Sequence, residues 1–74
     1  MWRVSITCSG DAWKQNGSNF KNIADKYQGD CITSKKMPDG ARIMEYKIED
    51  VSDAESFQDD CAKFPGFSAQ FESL

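Results

Sequence analysis

Three cysteines, two pairs of adjacent carboxylates and a cationic stretch are the side chains here with chemistry to offer, and no histidine accompanies them. General acid–base catalysis draws on histidine most often, so that route would rest on carboxylates or thiols alone. Cys8, Cys31 and Cys61 lie 23 and 30 residues apart, with no Cys-x-x-Cys. The short ligand spacing of zinc and redox sites is therefore missing. An odd count without close pairs predicts three reduced thiols, with a bridge between two of them as the alternative. A nucleophilic thiol also needs a neighbouring base or positive charge. Cys8 and Cys61 sit in apolar patterns and read as packing residues, whereas Cys31 reads as an exposed thiol with Lys47 opposite.

The carboxylate pairs are Glu49-Asp50 and Asp59-Asp60. Neighbouring residues on a helix diverge, so Asp59 and Asp60 make no ready metal site, and no cofactor is expected. They belong instead to an acidic run of Glu49, Asp50, Asp53, Glu55, Asp59 and Asp60. Residues 45–74 hold two basic and eight acidic groups, whereas residues 1–44 hold seven basic and four acidic ones, for a net charge of −3. Asp53 and Glu55 favour the positive end of a helix, but Asp59 and Asp60 lie beyond that first turn. The run reads either as a solvated helix face or as a ridge that docks a basic partner.

Lys35, Lys36 and Arg42 form the cationic counterpart. Lys36 and Arg42 are expected to face each other across a hairpin, where like charges repel, which suggests a second contact. Lysines also guard edge strands against unwanted pairing. Amides in Ser9-Gly10-Asp11 and Asn16-Gly17-Ser18 could cradle an anion at a helix start, although neither is a dinucleotide or P-loop glycine pattern.

The elements that must position these groups follow from periodicity. Trp2, Val4, Ile6 and Cys8 alternate with Arg3, Ser5 and Thr7, which predicts a strand with one buried face. Ser9-Gly10-Asp11 reads as a turn. The segment Ala12–Gly17 is ambiguous: Trp13 falls on the stripe of Phe20, but Gly17 weakens a continuous helix. A helix is expected over about Asn19–Gln28, capped by Ser18 and ended by Gly29. Cys31–Met37 and Ala41–Glu49 then flank Pro38-Asp39-Gly40 as a hairpin. Its expected register places Ile32, Met44, Tyr46 and Ile48 on the inner face.

Ser52 to Glu55 carries a capping-box pattern, followed by the stripe Ala54, Phe57, Cys61 and Phe64. Pro65-Gly66 ends that helix. Phe67, Ala69 and Phe71 alternate in a last strand. Residues 1–74 thus form a single α+β domain in βαββαβ order. The expected solution is a ferredoxin-like sandwich, with an antiparallel sheet of order 4-1-3-2 and both helices on one face.

Such a scaffold predicts function poorly. RNA-binding domains of this topology stack bases on aromatic residues of the central strands, which here offer Ser5, Thr7, Ile43 and Glu45. The acidic balance also disfavours phosphate approach to the sheet, so no direct nucleic-acid contact is expected. No apolar run approaches the roughly 20 residues of a membrane span, and no secretory segment is present, so a cytoplasmic setting is expected. The resulting expectation is a non-enzymatic protein-binding module, an adaptor or an inhibitor of the kind that phages and mobile elements encode. It would dock a basic surface through its acidic helix. The alternative is a dimer through the open sheet face that binds or transforms a small molecule, with Trp13, Tyr27 and Tyr46 lining a pocket and Cys31 or Arg3 as reactive groups.

Overall fold

A computed structural model describes all residues, Met1–Leu74. Strand β1 (Trp2–Cys8) leads into α1 (Gly10–Lys26), the hairpin β2 (Asp30–Lys36) and β3 (Arg42–Ile48), α2 (Val51–Ala62), and β4 (Phe67–Ser73). The sheet runs β2-β3-β1-β4, antiparallel throughout. This is the expected 4-1-3-2 order read from the other edge, and the architecture is ferredoxin-like.

The alternation in the strands sets which face is dry. Val4, Ile6 and Cys8 of β1, Met44 and Ile48 of β3 and Phe67 of β4 are buried beneath Phe20 and Ala24 of α1 and Ala54, Phe57 and Cys61 of α2. Aromatic rings tie the layers together. Phe20 meets Tyr46 at 5.6 Å and Phe57 at 6.0 Å, while Phe57 meets Tyr46 at 5.6 Å. Both helices therefore lie on the Tyr46 side of the sheet.

Helix α1 begins nine residues earlier than the sequence pattern suggests, at Gly10 in place of Asn19. Ser9 is its N-cap, with Oγ accepting the Ala12 amide, and the predicted Ser9–Asp11 turn is the helix's own first turn. Gly17 costs little here because it is buried under Trp13. A Cβ at that position would stand 3.2 Å from the indole, so the missing side chain makes room for the ring. Trp13 then reaches Phe20, 5.9 Å away, on the shared stripe. At the other end, Gln28 and not Gly29 takes the left-handed conformation, with φ of 54°.

The hairpin turn matches expectation, with Gly40 at φ of 92° and Asp39 Oδ1 accepting the Ala41 amide. The register holds from Lys36 opposite Arg42 to Thr33 opposite Glu45, then shifts. A β-bulge at Ile32 places Cys31 opposite Tyr46 and Asp30 opposite Lys47. Ile32 is consequently 49% exposed and leaves the inner face assigned to it from the pattern. The extra residue on one strand is what a bulge inserts. Helix α2 starts one position before the capping box. Asp50 is the N-cap, accepting the Ser52 and Asp53 amides at 2.7 and 3.3 Å.

Candidate functional site

The three thiols are unpaired, with Cys8 and Cys61 buried and Cys31 exposed. Burial pushes the Cys61 thiol up to about 12, helped by the charge of Asp60. It raises Cys8 as well, against the opposing influence of Arg42. Thiols held neutral in this way are poor nucleophiles. The bulge moves Cys31 to the helix side of the sheet edge, beside Tyr46, so Lys47 faces Asp30 instead. Burial, then the neighbouring Cys31, pushes the Tyr46 phenol up to about 12.

These raised values have a measurable consequence. In the unfolded chain Cys61 and Tyr46 ionise near 9.0 and 10.0, whereas in the fold each stays neutral to about 12. Above pH 9 the unfolded state therefore binds fewer protons, so stability complete below that pH is lost as pH rises toward 12. The urea midpoint should decline progressively from about pH 9 upward, and Cys61→Ala should make that decline shallower. A midpoint independent of pH over this range would contradict the burial of both groups.

The groups proposed for a small-molecule pocket are dispersed. Trp13 lies at the hairpin end of α1 and Tyr27 at its opposite end. Arg3 sits on the open sheet face, bonded to Glu72 and 3.3 Å from Glu45. That face also carries Ile43, paired with Thr7, and a small depression among Ser5, Thr7, Ser68 and Gln70. No group of three or more His, Cys, Asp or Glu side chains lies close enough together to hold a metal ion, and no helix is long and apolar enough to cross a membrane.

The acidic run divides into three environments. Asp60 is turned toward α1, where the Tyr27 hydroxyl donates to it at 2.7 Å and Lys26 and Lys63 approach to 4.0 and 3.8 Å. That bond to Asp60, and then burial, holds the Tyr27 phenol above its ordinary range. Glu55 and Asp59 are exposed four residues apart on α2, which places them on one stripe. Glu49, Asp50 and Asp53 line a groove of about 420 Å³ at the end of the sheet, together with Tyr27, Gln28, Asp30 and Lys47. Asp30 was not among the expected site residues. It is distant in sequence and joins the group only through the β2–β3 register.

The basic arm is also divided. Lys35 pairs with Ile43 on the open face, whereas Lys36 and Arg42 pair on the helix side. There they line a second groove of about 490 Å³ with Ser9, Gly10, Asp11, Trp13, Lys14, Asp39 and Gly40. The grooves lie at opposite ends of seven-residue strands, about 20 Å apart.

The fold has a solved counterpart. The uncharacterized protein TM1266 from Thermotoga maritima is similar over 99% of this chain and 94% of its own, with a TM-score of 0.71 and 11% identity. That likeness is one of fold. No family model and no curated protein matches the chain.

Proposed function

We propose that the chain is a small, non-enzymatic protein-binding module, an adaptor or inhibitor, whose acidic end docks a basic surface of its partner. The observation that supports this reading is the convergence of Asp30, Glu49, Asp50 and Asp53 around one groove in which Lys47 is the only cation. Like charges gathered at one end create a field that speeds the approach of an oppositely charged surface. Glu55 and Asp59 extend that field along the outer side of α2. Asp50 serves the helix cap as well as the field, and Asp60 serves chiefly to hold α1 against α2.

The test separates charge from fold. Glu49 and Asp53 are exposed and carry no side-chain ion pair. Replacing both with Lys should leave the unfolding free energy within about 1 kcal/mol of wild type, because the main loss is a helix-dipole contribution from Asp53. The wild-type chain, used as bait on its native lysate, should retain a basic protein at low salt and release it as salt rises. The double variant should retain far less of that protein. Equal retention by the two baits would exclude this end as the contact.

A further inference from the structure

We propose that the groove at the hairpin end binds a phosphate monoester, at a site independent of the acidic end. Its walls are held in place by close contact. A Cβ on Gly10, in the first turn of α1, would stand 3.0 Å from the carbonyl oxygen of Gly40 in the hairpin turn. The helix start and the turn thus press backbone on backbone beside an open groove of about 490 Å³. That volume lies within the range of small-ligand sites.

Three cations line this groove: Lys14, Lys36 and Arg42. None is in an ion pair, because the chain's ion pairs engage Arg3, Lys26 and Lys63 instead. Lys36 and Arg42 also occupy directly opposed positions of the hairpin, where like charges repel unless an anion lies between them. Arg42 is positioned in advance. Its guanidinium lies 4.6 Å from the centre of the Trp13 ring, and Trp13 is itself seated against Gly17. A guanidinium held over a ring still has N–H donors to offer two oxygens of one anion.

Two carboxylates share the groove and offset two of its three positive charges, but each already has a structural role. Asp39 is engaged with the Ala41 amide in the turn. Asp11 lies in the first turn of α1, where the positive helix end favours it. The remaining charge is one positive unit plus the helix end, which suits a dianion better than a second protein surface. Three oxygens on one phosphorus can meet Arg42, Lys36 and Lys14 together, whereas a carboxylate offers only two. Lys35, on the opposite face of the sheet, takes no part.

The proposal is tested by amide NMR on the full chain, titrated separately with inorganic phosphate and glycerol phosphate at ionic strength matched with chloride. Saturable shifts should concentrate at Gly10, Asp11, Gly40 and the Trp13 indole N–H. Arg42→Gln and Lys36→Gln should each weaken binding by about tenfold, the order expected for loss of one charge-assisted bond, and Lys35→Gln should change little. Lys36 is exposed, so its variant remains informative should Arg42→Gln disturb the Trp13 packing. Tighter binding of glycerol phosphate than of inorganic phosphate would support the monoester as occupant, whereas equal or weaker binding would overturn that assignment in favour of the free ion. Shifts no larger than those from chloride, or unchanged affinity in Lys36→Gln, would overturn the site. So would tighter binding of a single-stranded oligonucleotide with shifts spread over the sheet.

Discussion

Phe57→Ala is expected to cost about 3–5 kcal/mol, the range for removing a buried aromatic side chain, and to leave most of the chain unfolded at room temperature. Phe57 is fully buried and forms the junction between the helices and the sheet. Its ring stacks on Tyr27 at 5.9 Å and meets Phe20 and Tyr46 from the other sides. Gly29 approaches it so closely that a Cβ there would lie 3.2 Å away. Backbone and rings therefore surround the site, and collapse into the vacated space would require several elements to move together. A domain this small has only a few kcal/mol of net stability to lose. Urea unfolding followed by circular dichroism gives the answer, with Phe57→Leu expected to fall between the two. A midpoint close to wild type would mean that α2 does not pack as described.

Gly66→Ala should be the second severe change, at about 2–5 kcal/mol. Two effects combine. Gly66 has φ of 80°, a conformation that costs an L-residue roughly 1–2 kcal/mol. A Cβ there would also come within 2.8 Å of the Ala12 Cβ, and overpacking of this kind costs roughly 1–3 kcal/mol. Gly40→Ala separates the two effects. Its φ is 92°, but its new methyl would meet nothing nearer than the Gly10 Cα at 3.7 Å. It should therefore lose only the backbone component. Equal losses in the two variants would show that the loop after α2 yields to make room and does not press on α1.

The strands and their order were readable because their signals are local. Alternation in β1, β3 and β4 assigns each side chain to a face without knowledge of its neighbours. Pro38-Asp39-Gly40 sets the hairpin through its own backbone preferences. The misreadings share a different cause. Gly17 argues against a helix when taken alone, and only the Trp13 ring lying over it reverses that preference. Ile32 fits the inner face by simple counting, but the bulge beside Cys31 turns it outward. Ser52 and Glu55 make a plausible cap, yet Asp50 already satisfies the first amides of α2.

The sequence by itself determined the βαββαβ order, the apolar face of each element and the separation of charge between the two parts of the chain. These depend on residue type and spacing along one strand or one helix. Tertiary structure decided which charges act together. It brought Asp30 to Glu49, Asp50 and Asp53, turned Asp60 inward to Tyr27, and sent Lys35 and Lys36 to opposite faces of the sheet. It also carried Lys14 to Lys36 and Arg42, 22 and 28 residues further along the chain. The physical reason is that a charged side chain on the surface has little local preference for position. Its neighbours are set by strand register and by how the helix ends seat against the hairpin, and those follow from packing of the apolar core.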